Sequence, residues 1–108
     1  MFHEATVVKF GIVGRKTTIH LELAGSSAEG NKFVTIFVLQ TSELKIDQEV
    51  LETENDFDLM HFEDGEVLSF ETRSDGIEVL IEWNDFNRRC NTTRLYKVVG
   101  SSVVTHLS

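Results

Sequence analysis

Carboxylates dominate the chemistry this chain could perform. Between Glu43 and Glu66 stand ten acidic residues against one base, Lys45, a net charge of −9 within 24 residues. The rest of the 108-residue chain holds eight acids and nine bases, so the formal −8 of the whole molecule resides in that stretch. Three kinds of chemistry use clustered carboxylates. A general acid and base, as in glycoside hydrolysis, requires one carboxyl desolvated in a cleft, whereas ten neighbouring acids imply a wet and mutually repelling surface. A calcium loop wants oxygen ligands at alternating positions. Asn55-Asp56-x-Asp58 begins that way but lacks the glycine and the closing glutamate at the required spacing. The third use is docking, in which a concentrated negative lobe attracts and orients a basic partner. The docking candidates are Asp47, Glu49, Glu52, Glu54, Asp56, Asp58, Glu63 and Asp64, with Phe57 and Phe62 between them as apolar anchors. The plainer alternative is that the acids keep a small β protein soluble and discourage edge pairing, while the two phenylalanines belong to its core.

Other reactive groups are sparse and badly spaced for catalysis. The four histidines (His3, His20, His61, His106) form no H-x-H or H-x-x-x-H pair. Cys90 follows Arg88-Arg89, which would favour a thiolate, but no base stands near it in sequence. Gly11 and Gly14 lead into Arg-Lys and a strand pattern rather than a phosphate-binding helix, and no G-x-S-x-G elbow occurs. We therefore expect no enzyme, no catalytic residue, no metal site and no cofactor. The acidity argues against nucleic acid, whose phosphates it would repel. A single cysteine and an N-terminus without a basic head or apolar body point to the cytoplasm. The longest apolar run, Phe33 to Leu39, is too short to span a bilayer.

The elements that must position these residues are written in alternation. In Thr17 to Leu23, Ile19, Leu21 and Leu23 share one face and His20 and Glu22 the other. Thr6 to Ile12 places Val8, Phe10 and Ile12 on one face and Val7 and Lys9 on the other. A turn at Gly14-Arg15 pairs Phe10 with Ile19 and Val8 with Leu21; a turn at Arg15-Lys16 shifts the register by two and keeps the faces. Asp75-Gly76 suits a two-residue turn, which would pair Leu68 with Trp83, Phe70 with Ile81, Thr72 with Val79 and Arg73 with Glu78. Phe33 to Leu39 reads as a central strand covered on both sides. Gly25 to Asn31 reads as a flexible connection, and Thr92–Val99 and Ser102–Leu107 as two further strands. Residues 43–65 read as irregular, with at most a short helix around 47–55; a strand followed by a loop fits 47–55 equally. The whole is one domain over 1–108, mainly β, an antiparallel sandwich or half-open barrel of six to eight strands.

The stretch His61-Phe-Glu-Asp-Gly-Glu-Val67, continuing through Gly76-Ile-Glu-Val-Leu-Ile-Glu-Trp83 to Tyr96-Lys-Val-Val-Gly100, resembles the small bacterial immunity proteins of polymorphic and contact-dependent growth-inhibition toxin systems. The shared features are an aromatic, Asp, small, Glu, Val lead-in to a strand, then a hairpin and a last strand ending in glycine. The likeness covers roughly the C-terminal 40 residues, and departs at Glu63 and at Gly65, where alanine is usual. It implies a monomer that binds one basic toxin domain, of nuclease type, in a 1:1 complex and neutralises it. Two other readings compete: a ligand-binding or enzymatic β-barrel-like domain with a cavity lined by Phe10, Phe37, Phe70 and Trp83, and a subunit that adds Ser102–Leu107 to a partner's sheet.

Overall fold

The computed structural model describes residues 2–23, 32–53 and 55–107. Ten strands run in chain order: β1 Thr6–Val13, β2 Lys16–Glu22, β3 Phe33–Leu39, β4 Glu43–Ile46, β5 Glu49–Leu51, β6 Phe57–Asp58, β7 Asp64–Thr72, β8 Gly76–Asp85, β9 Cys90–Val99 and β10 Ser102–Leu107. All pair antiparallel in one sheet of order β10-β3-β2-β1-β7-β8-β9-β4-β5, with β6 attached to β1. The ends of that path do not meet, so the sheet folds over itself without closing into a barrel. The mainly β, half-open reading holds, but with more strands than six to eight. Two of the additional ones, β5 and β6, are only three and two residues long.

The fold-over occurs where β1 meets β7. Ladder pairing there is reduced to Thr6 with Glu66, supported by Glu4 N–H to Val67 O and Val67 N–H to Ala5 O, both 2.8 Å. Such a thin seam lets the two halves rotate until their apolar faces meet. Phe10 of β1 consequently packs edge-on against Tyr96 of β9, ring centroids 4.9 Å apart. Ile12, Ile19, Leu21, Ile36, Ile81 and Trp83 are fully buried between the halves. Each aliphatic side chain buried in this way contributes about 1.5–3 kcal/mol. Thr17 and Thr41 are the buried polar residues among those described. Thr41 spends its hydroxyl proton on Val38 O at 3.1 Å, so Thr17 donates to Thr41 at 2.7 Å and both are satisfied.

Two bulges alter the expected registers. The β1–β2 hairpin turns at Gly14-Arg15, both at positive φ, and pairs Phe10 with Ile19, the first of the two registers its sequence allows. A bulge at Val8 then puts Val7, not Val8, opposite Leu21. Val7 is buried, while Val8 is 47% exposed. In the β7–β8 hairpin the loop is Arg73–Asp75, so Phe70 pairs with Val79 and Thr72 with Ile77. Past a second bulge at Leu68, Val67 meets Ile81 and Gly65 meets Trp83. The expected partners Leu68–Trp83, Phe70–Ile81 and Thr72–Val79 are thus displaced by two or three positions. Arg73, although in the loop, does reach Glu78 at 3.3 Å. The third strand is central in the pairing sense, flanked by β2 and β10, yet Phe33, Thr35, Phe37 and Leu39 on its outer face remain half-buried. Gly25 to Asn31 lies outside the described residues. No helix among the described residues is long and apolar enough to cross a membrane.

Candidate functional site

The first part of the acidic stretch, expected to be irregular with at most a short helix around 47–55, forms a tight hairpin. Ile46 pairs with Glu49, leaving Asp47 and Gln48 as a two-residue loop with φ of 52° and 69°. Both central residues are left-handed, the geometry that matches the twist of paired strands. Asp47 extends the ladder beyond β4: its N–H donates to Leu95 O at 2.8 Å and its Oδ1 accepts from Leu95 N–H at 2.9 Å. Glu49 and Glu52 project from β5 and its end, exposed. Glu54 lies outside the described residues.

Further along, the carboxylates tie the segment down. Asp56 accepts from Gly14 N–H at 3.0 Å, which holds the segment against the β1–β2 turn, and Asp58 accepts from Met60 N–H at 2.9 Å. Between them Phe57 pairs with Ile12 and packs against the core with part of its ring exposed. Phe62 also packs against the core and tilts over His61, centroids 4.3 Å apart. Burial, with Arg94 adding to it, holds His61 below the usual histidine pKa of 6.5. Glu63 is exposed, whereas Asp64 is half-buried and accepts from Asn84 Nδ2 at 2.9 Å. The departure at position 65 has a local cause: a Cβ on Gly65 would stand 2.5 Å from Cζ3 of Trp83.

The candidates therefore occupy three places: Asp47, Glu49 and Glu52 on the β4–β5 edge, Asp56 to Asp58 beside β1, and Glu63 and Asp64 leading into β7. The middle group borders a cleft of 860 Å³ along β1, with Val13, Lys16, Phe37 and Met60 on its other walls. Sequence reasoning did not find Lys16, and it assigned Phe37 to an interior cavity, because only the β1–β2–β3 register brings the two beside β6. The four side chains expected to line an interior cavity do not share one environment. Phe10, Phe70 and Trp83 are core residues, at most 3% exposed, and Phe37 lies on the opposite face of its sheet, beneath the Lys16 ammonium at 4.9 Å. Among the described residues no three His, Cys, Asp or Glu side chains converge as a metal site, and no buried side-chain polar atom lacks a partner. No known protein family, curated protein or solved structure matches the chain.

Proposed function

We propose that this protein is an immunity-type inhibitor that binds and neutralises a basic toxin domain, of nuclease type, through its acidic 47–66 surface, one inhibitor per toxin domain. The observation that carries the reading is that Glu49, Glu52 and Glu63 are exposed and make no ion pair among the described residues, although each lies in or directly beside a β strand. A protein that used its acids only for its own stability would pair them, as Glu43 pairs with Lys45 at 3.3 Å. Fixed, unneutralised carboxylates accelerate encounter with a cationic groove and select among partners. A groove that holds phosphates must be cationic.

Asp56 and Asp58 also hold backbone, so Glu49, Glu52 and Glu63 are the cleaner probes. The partner to use is a toxin-type basic C-terminal domain, sought first in the product of the neighbouring reading frame. Reversing those three glutamates to lysine should lower the association rate by about tenfold or more, and reversing Glu22 and Glu71 should leave it nearly unchanged. Equal effects from the two sets would remove the acidic surface from the mechanism. A second reading, a small-ligand carrier, is favoured by the cleft along β1; a ligand-specific rise in melting temperature on screening metabolites would select it.

A further inference from the structure

Among the described residues, the free edges of the sheet are not equally defended. At one end β5 is three residues long and begins with Glu49, with Glu52 just beyond it; β6, beside β1, is only Phe57 and Asp58, preceded by Asp56. Short, charged edges resist pairing with other chains. At the other end, β10 is six residues, Ser-Val-Val-Thr-His-Leu, without proline or charged Asp, Glu, Lys or Arg. Its register with β3 runs unbroken from Ser102 opposite Leu39 to Leu107 opposite Val34, so no bulge twists it away. Among the described residues no strand lies along its outer edge.

The core-facing side of β10 is also unfinished. Val103, Thr105 and Leu107 stand beside Val38, Ile36 and Val34, each of which is 0% exposed. Val103 still packs against the core, but Leu107, on the same face, is 76% exposed. The apolar stripe of β3 thus continues onto β10 and ends in water. We propose that a second copy of this chain covers it, by antiparallel pairing of two β10 strands about a two-fold axis at Thr105.

Symmetry and charge select a second copy. An antiparallel edge is complementary to itself under a two-fold, which makes the contact closed. Neither β10 nor β3 carries a charged Asp, Glu, Lys or Arg, so two molecules of net charge −8 meet at their neutral end. In strand order β4 and β5, with Asp47 and Glu49, lie at the opposite end and stay free. Opposed residues in an antiparallel pair share a face. With the axis at Thr105, Val103 faces the partner's Leu107 and Val104 faces the partner's His106, which buries the exposed leucine twice. An axis at Val104 would leave Leu107 opposite the partner's Ser101, beyond the strand. The dimer departs from the expected monomer yet keeps one inhibitor per toxin domain.

Sedimentation equilibrium of the intact chain from micromolar to millimolar concentration should show reversible doubling of mass. Thr105→Lys sets two ammonium groups face to face and should weaken association about tenfold or more. Since Thr105 is exposed, its melting temperature should stay close to that of the unaltered chain. In a Cys90→Ser background, Thr105→Cys should form an intermolecular disulfide on mild oxidation, and Val104→Cys, which faces the partner's His106, should not. The cysteine comparison decides even if Thr105→Lys impairs folding. A mass of one chain at every concentration, or equal crosslinking at the two positions, would overturn the proposal.

Discussion

Tyr96 serves two partners with one hydroxyl. It accepts from Trp83 Nε1–H at 2.8 Å and donates to Leu59 O at 3.4 Å, joining β8, β9 and the segment after β6 at a point with no exposure to water. Tyr96→Phe removes an oxygen and leaves the indole N–H buried without an acceptor. That loss costs about 1–3 kcal/mol and should lower Tm by about 5–15 °C. Burial also pushes the Tyr96 phenol above its ordinary pKa of 10.0, outweighing the opposing hydrogen bond from Trp83. Above pH 10 the unfolded chain then loses this proton before the folded one does. The contribution is complete below the unfolded value and is lost as pH rises through the folded one. Tyr96 is the chain's one tyrosine, so phenolate absorbance reports it without overlap. It should appear only above pH 10, and the Phe variant should lose less stability than the parent in alkali.

Among the elements, the β4–β5 hairpin shows where the sequence was opaque. Such turns usually announce themselves with Asn-Gly or Asp-Gly, but here Asp47-Gln48 occupies both left-handed positions. With no glycine to mark a turn, residues 43–65 read as irregular, and 47–55 fits a short helix as well as a strand and loop. The hairpin's strand character comes from β9, which pairs Leu44 with Val98 and supplies Leu95 to Asp47. The bulges were hidden for a related reason. Alternation fixes which residues are apolar, and a bulge at Val8 or Leu68 changes which of two adjacent apolar residues turns inward. By contrast, the β1–β2 turn was legible to within two alternatives, because Gly14 stands in it and no bulge intervenes before Phe10. The docking residues were legible as charges, while their distribution over three elements depended on long-range pairing. Gln48→Gly removes a side chain from a left-handed position and makes no demand on the Leu95 ladder. It should stabilise the fold by about 0.5–1 kcal/mol. Asp47→Gly should not, because it also deletes the carboxylate that accepts from Leu95 N–H; paired urea melts would separate the two.

At the scale of the whole molecule, one charge distribution has two opposed effects. Nine net negative charges on a 24-residue stretch repel one another in the folded state, and Glu49, Glu52 and Glu63 return nothing through ion pairs among the described residues. The proposed basic partner would supply the cation that the fold does not. Stability and association should then respond to salt in opposite directions. The screening length is about 10 Å at 0.1 M, short enough to weaken repulsion between exposed carboxylates on neighbouring elements. Added salt should raise Tm and slow capture of the basic domain. Neutralising all three residues to glutamine mimics screening permanently. The triple variant should gain roughly 2–6 °C in Tm, about 0.5–1 kcal/mol, and respond less to salt than the parent. Its association rate should fall, and the salt slope of that rate should flatten in parallel. Calorimetry and stopped-flow on the same preparations give both readouts. A variant that gained stability while associating as fast as the parent would place the partner elsewhere; one that lost stability would mean that these carboxylates serve the fold after all.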